Sequence, residues 1–421
     1  MPSPSDPTIV VVLATTFPVP PDAGSPRQFH LLSRLAKRAR LHCVVGTRQS
    51  AEIWNKFAND PAIEALFASV SMEAGVAREP RSAQPLTLLA GLPRNNLRLR
   101  DPDLLRRAQE LTVRTNRERG SVLFLCMGID ALQLVPRRLW KYCVVDGVDS
   151  WSLVLERRVQ SDAQLTRTRR VKLFLAKFGM RRFEDRIFRA VHAVAYNSSV
   201  DIAYLRERSP NAPIIRVIDG CDTEYFSPDA IANPPENADE IVFNGHMGYA
   251  PNLDGARHLA DDVMPLIWQQ RPETKLFLVG PDPSGALARY DDEARITATG
   301  FVDDVRPYLA RAALVVSALR FGTGMKNKLQ AGLAMKRAMV VSSSTAEGFD
   351  GLENGKHAVV TDEPQEFADA VCALLEDPSR RARMAEDGQQ LIREHFSWDA
   401  ATEVLWNALE SCPRTPETSA G

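Results

Sequence analysis

Long apolar runs are missing from this chain. No stretch reaches the roughly 18 to 20 residues that a helix needs to cross a bilayer, and the runs at 9–14 and 312–316 have the length of buried strands. This argues against an integral membrane protein. Residues 1–7 carry no basic residue ahead of an apolar run and no small-residue cleavage site, so a secretory signal is not read and a cytoplasmic protein is expected. Cysteine is sparse, and Cys43, Cys126, Cys143, Cys221, Cys372 and Cys412 form no CxxC pair and no metal-like spacing. Free, buried thiols are expected. The seven histidines form no HExxH or H-x-E pattern, so no metal site is expected. GK[ST] is also absent, which excludes a Walker P-loop, and Ser342 to Ser344 lack the spacing of a nucleophile elbow, which disfavours a serine hydrolase.

What is present is ordinary in amount and informative in arrangement. The 421 residues suffice for two or three domains at roughly 150 residues each. With 44% hydrophobic and 25% charged residues the chain reads as soluble and globular, which excludes disordered, collagenous, coiled-coil and mucin-like classes. Net charge is −1, yet residues 1–235 carry +10 and residues 236–421 carry −11. A basic half suits an anionic partner.

The basic excess peaks at 157–189, where eleven Lys or Arg face only Asp162, Glu184 and Asp185, and Val171, Phe174, Leu175 and Phe178 recur at helical spacing. Such a helix either lies on anionic lipid, each nearby Lys or Arg contributing about 1 kcal/mol, or turns its stripe inward to pack. Periodicity leaves both readings open. No aromatic or recognition-helix motif supports nucleic acid as a partner.

Strand-like residues 9–13, a Pro/Gly-rich turn at 17–26, a helical pattern at 27–38 and a strand at 41–45 open the chain as βαβ. Further strands are expected at 122–126, 143–145 and 193–196. A polar, turn-rich stretch marks a linker at 229–240. Alternation restarts after it, with strands at 241–243, 275–279, 296–299, 314–317 and 338–341, and helices at 253–269, 305–310 and 325–335. The expected fold class is α/β, two Rossmann-like domains at 1–228 and 241–394 facing each other across a cleft at the carboxyl ends of their sheets. Residues 395–412 read as an amphipathic helix that packs back on the N-terminal domain, and 413–421 as a disordered tail.

Three patterns follow strands of the second half. In the turn at 244–252, Gly245, Met247 and Gly248 open a helix whose N-terminus favours an anion. At 319–328, Gly322, Thr323 and Gly324 lead into Lys326 and Lys328, two cations that oppose the helix dipole by about 0.3–1 kcal/mol unless an anion such as a diphosphate offsets them. In Ser342-Ser343-Ser344-Thr345-Ala346-Glu347, Ser344 suits phosphate oxygens and Glu347 a ribose or sugar hydroxyl, although an N-cap explains the hydroxyls as well. Adjacent acids at Asp291–Asp292 and Asp303–Asp304 read as solvated loops, with Asp304 capping the helix that follows.

With these residues in place the chain resembles a GT-B-fold glycosyltransferase of family 4, nearest the sugar transferases of exosortase and exopolysaccharide systems. The resemblance runs over nearly the whole chain and rests on residues 17–24 with 27–35, VDGVDSW at 145–151, VIDGCDTEYFSP at 217–228, GHMGYAPN at 245–252, TGFVDDVRPYL at 299–309, residues 319–335, and FSW at 396–398. It implies retaining transfer of a sugar from a nucleotide donor on the C-terminal domain to a glycan or lipid-linked acceptor on the N-terminal one, with no cofactor and no metal. Gly245 and Gly248 would lie near the diphosphate, Lys326 or Lys328 would stabilise the leaving phosphate, and Gly24 with Arg27 would stand on the acceptor side. The pattern departs where family members carry a ribose-binding carboxylate: Ala331 stands there, Gln330 is its polar neighbour about 100° round the helix, and Thr323 occupies the position of a partner carboxylate. No catalytic histidine is evident near residues 127–130. These departures keep a second reading, a GT-B-like protein that binds without turnover, and Glu347 could supply a substitute carboxylate.

Overall fold

Short apolar runs such as those at 9–13, 122–126, 241–243 and 312–316 seed two sheets. The structure, a computed structural model, describes residues 6–17, 27–47, 49, 51–74, 101–161, 166–231, 237–322 and 325–416. They form two compact units, Met1–Ile218 with Ala401–Gly421, and Asp219–Ala400.

In the first unit β1 (Thr8–Leu13), β2 (Arg40–Thr47), β3 (Ser69–Ala74), β4 (Val122–Met127), β5 (Cys143–Val148), β6 (Ala193–Tyr196) and β7 (Ile214–Arg216) make one sheet in the order β3-β2-β1-β4-β5-β6-β7. All neighbours are parallel. Val10, Val12, Phe124 and Val145 are solvent-free, as expected for strands covered on both faces by crossover helices. One such helix, Pro102–Arg119, shows why its residues form it. Asp101 accepts from Leu104 N at 2.9 Å, Pro102 sits at its start, and Gly120 ends it at φ 75°. Leu104, Ala108 and Leu111 then fall on one face and enter the core.

The second unit repeats the winding. Its strands β8 (Asn237–Asn244), β9 (Lys275–Val279), β10 (Ile296–Gly300), β11 (Ala312–Ser317), β12 (Ala338–Val341) and β13 (Val359–Val360) run parallel in the order β10-β9-β8-β11-β12-β13. Counted from its first strand, each unit has the doubly wound order 3-2-1-4-5-6, the first with β7 added. In such sheets the winding reverses between the first and fourth strands, here β8 and β11, and ligands bind beyond the carboxyl ends at that point.

Several expectations need correction. The helix expected at 253–269 is present as one run from 250 to 270, with a π turn at Leu259–Val263 just ahead of Pro265, which has no N–H for the helical ladder. Residues 237–240, read as linker, already belong to β8, with Glu240 paired to Arg311 at 2.6 Å; residues 232–236 lie outside the described residues. The units divide after Ile218, ahead of Pro228, because the next residues are tied into the second unit. Cys221 N donates to Phe396 O at 2.8 Å, Arg306 Nη1 donates to Tyr225 O at 3.1 Å, and a Cβ on Gly220 would fall 2.6 Å from Trp398 N.

The segment read as a loose tail is anchored as far as it is described. Thr415 N donates to Val122 O at 2.8 Å, and its hydroxyl accepts from Val122 N at 3.0 Å and donates to Asn116 Oδ1 at 2.8 Å. Residues 417–421 lie outside the described residues. From Ala401 onward the helix Trp398–Ser411 belongs to the first unit, where Glu403 pairs with Arg38 and Ser411 bonds His192.

Candidate functional site

At the carboxyl end of β8 the chain turns through Gly245, His246, Met247 and Gly248 into the helix Ala250–His258. The turn's N–H groups are largely spent within the protein. Gly245 N donates to Val279 O at 2.9 Å, Met247 N to Pro281 O at 2.8 Å, and Gly248 N to His246 Nδ1 at 3.0 Å. Met247 sends its side chain into the core. The glycines therefore supply room in place of free donors. A Cβ on Gly245 would stand 2.8 Å from Asn252 Nδ2 and 3.1 Å from Lys328 Nζ, and one on Gly280, at φ 132°, would stand 2.2 Å from Gly245 O.

The space beside Gly245 is filled by a lysine. Lys328, in the first turn of the helix Asn327–Ala334, donates from Nζ to Asn252 Oδ1 at 2.6 Å and stands 4.1 Å from the centroid of the Phe243 ring. Asn252 Nδ2 donates to His246 O at 3.0 Å, which fixes the amide's orientation. Among the described residues Lys328 has no carboxylate partner. Burial brings its ammonium down to about 7, and the nearby charge of Lys326 pushes the same way. Lys326 is buried just before the helix, and Gly322, at φ 147°, lies against its side chain: a Cβ there would sit 3.4 Å from Lys326 Cε. Two cations thus converge at the positive end of a helix, an electrostatic arrangement suited to a phosphate-bearing ligand.

Of the other expected donor residues, Gln330 is buried and its Nε2 donates to Asp219 O at 2.6 Å, so its amide holds the start of the second unit's chain. Ala331 is a core residue. Ser344 and Glu347 lie past the end of β12, in and just after the short helix Ser343–Ala346. Ser342 caps that helix by accepting from Thr345 N and donates to Leu319 O at 2.6 Å, which laces this turn to the segment after β11. Ser343 is bound to Asp362. Asp304 accepts from Arg306 N at 2.9 Å and pairs with its guanidinium. Thr323, Gly324 and Gly24 lie outside the described residues.

Arg27, in the first unit, is buried and fully engaged. Its Nε and Nη2 fork onto Asp146, Nη1 donates to Ile218 O at 2.9 Å, and Nη2 donates to Val217 O at 2.8 Å. Two residues on, Val148 adopts φ 65°, a left-handed conformation that is costly for a β-branched residue, at the carboxyl end of β5. Among the described residues no three His, Cys, Asp or Glu side chains cluster as metal ligands.

Asn252 and Phe243 carry the geometry yet were not singled out from sequence. Asn252 closes the GHMGYAPN stretch, the one available signal. Nothing local links it to Lys328, 76 residues away.

Residues 238–377 match the family described as Glycosyl transferases group 1. No curated protein matches the chain in sequence. Among solved structures, the sucrose-phosphate synthase of Thermosynechococcus elongatus superposes with a TM-score of 0.66 at 15% identity, over 96% of this chain and 98% of that one. HepE of Anabaena, solved with UDP and glucose, gives 0.59 at 14% identity over 96% and 99%. WaaG, a glycosyltransferase involved in lipopolysaccharide biosynthesis, gives 0.58 at 10% identity over 98% and 100%. The fold is GT-B, with two Rossmann-like domains.

Proposed function

We propose that this chain, a GT-B fold whose residues 238–377 form a glycosyl transferases group 1 domain, is a family 4 enzyme that moves a hexose-like sugar from a nucleotide donor to a glycan or lipid-linked acceptor with retention at the anomeric carbon. The observation that carries the reading is the Lys328–Asn252 pair, a partly buried ammonium that has no carboxylate partner among the described residues, at the strand ends where a doubly wound sheet binds ligands. UDP in HepE supports a nucleoside diphosphate there. Lys326 and Lys328 neutralise the charge that grows on the departing diphosphate, a role that in other enzymes falls to a metal ion. The acceptor belongs to the first unit. The compartment is the cytoplasm and the setting is cell-surface or exopolysaccharide assembly.

Assays across a panel of nucleotide sugars test this. Lys328→Ala is expected to lower kcat by about 10²- to 10³-fold with the thermal transition retained, as for loss of one transition-state donor. Turnover indifferent to that change removes Lys328 from the mechanism.

One observation favours a second reading, a protein that binds a nucleotide sugar without turnover. Ala331 is buried, and the only polar neighbour on its helix that the resemblance offered, Gln330, is committed to Asp219. Saturable UDP binding with no product from any donor would establish it.

A further inference from the structure

The helix Arg167–Phe188 divides its apolar residues between the core and the surface. Met180, Phe183, Ile187 and Phe188 enter the core of the first unit, and Glu156 of the neighbouring helix Trp151–Ser161 holds Lys177 and Arg181 from that side. The stripe Val171, Phe174, Leu175 and Phe178 faces outward instead, exposed by 57%, 56%, 38% and 51%. Of the nine large hydrophobic residues exposed among those described, these four fall within eight positions, so the patch is local and not scattered.

Its surroundings are cationic. Arg167, Arg169, Arg170 and Lys172 are exposed on the same turns, and among the described residues none of them forms an ion pair. Lys177 stands 5.3 Å from the Phe174 ring centroid and Arg182 stands 4.6 Å from that of Phe178. Every cation that flanks the rings would meet its like in a second copy of the chain, which disfavours self-association. A row of apolar side chains at i, i+3, i+4 and i+7, edged by Arg and Lys and projecting from one helix, matches a bilayer surface with anionic headgroups.

We propose that this face seats the first unit on an anionic lipid bilayer, with Val171, Phe174, Leu175 and Phe178 entering the headgroup–acyl boundary and Arg167, Arg169, Arg170, Lys172 and Arg182 meeting lipid phosphates. The proposal goes beyond glycosyl transfer and stands or falls without it, because its readout is binding.

Flotation of the full chain with phosphatidylcholine vesicles, with and without phosphatidylglycerol, tests it. The expected result is recovery with the phosphatidylglycerol vesicles only, reversed by salt. Partitioning should fall about fivefold for each positive charge removed, the equivalent of about 1 kcal/mol, as read from Arg169→Gln, Arg170→Gln and Lys172→Gln. Phe174→Ser with Phe178→Ser should abolish it while leaving the thermal transition unchanged, since both rings are exposed. Equal recovery with pure phosphatidylcholine overturns the proposal, as does absence of binding to either vesicle. Recovery untouched by the paired phenylalanine changes also overturns it, and so does a dimer in light scattering that those changes dissolve.

Discussion

Asn252 joins the turn after β8 to the lysine that follows β11: its Oδ1 accepts the Lys328 ammonium at 2.6 Å and its Nδ2 donates to His246 O at 3.0 Å. Both ends of the amide are used, so the lysine is held in place before any ligand arrives. Asn252→Ala should weaken UDP binding by about 10- to 100-fold, in line with the 1.5–3 kcal/mol typical of a hydrogen bond to a charged group. Titration calorimetry checks the affinity. An unchanged dissociation constant would show that the ammonium finds its place unaided.

The lowered pKa of Lys328 has a definite sign. Below about pH 7 the ammonium is charged in both folded and unfolded chains, and burial penalises the folded one. Between about 7 and the usual 10.5 the unfolded chain binds more protons, so stability rises with pH across that window. Lys328→Met should therefore be more stable than the parent at neutral pH, with the advantage shrinking toward pH 10 in denaturant melts. A parallel pair of pH profiles would reject the assignment.

Binding an anionic diphosphate favours the charged form of the same group. At pH 8 the free protein should hold Lys328 mostly neutral, so nucleotide binding takes up a proton and weakens as pH climbs above 7. Calorimetry in buffers of different ionisation enthalpy measures the uptake, expected near one proton and absent in Lys328→Met.

The Arg27–Asp146 pair is buried on both sides, at 2.9 Å, and Arg27 also holds the Val217 and Ile218 carbonyls. Arg27→Ala leaves a buried carboxylate uncompensated and should cost about 3–5 kcal/mol in urea unfolding. A loss under 1 kcal/mol would mean that solvent reaches Asp146.

Much of this was legible in the sequence, for a physical reason. Strands such as Val122–Met127 are covered on both faces, so their apolar runs are continuous and announce themselves. Ser69–Ala74 and Ile214–Arg216 lie outside the central strands, one polar and half-exposed, the other three residues long, and neither produces a run. The lysines near the candidate anion site stood out in the sequence because cations at the start of a helix oppose its dipole. Their roles did not. Met247 turned out to be core and Gln330 a tie to Asp219, because spacing does not say which way a side chain points. The stripe from Val171 to Phe178 makes the same point in reverse: helical period identifies a face, while only the neighbours decide whether it meets protein or water.

Thr415 also bears on how the chain matures. It completes hydrogen bonds with Val122 and Asn116, yet some 180 residues of another folding unit are synthesised between β7 and it. A ribosome therefore releases everything needed for the later Rossmann-like unit before it releases the final strap of the earlier one, so the portion made first is finished last.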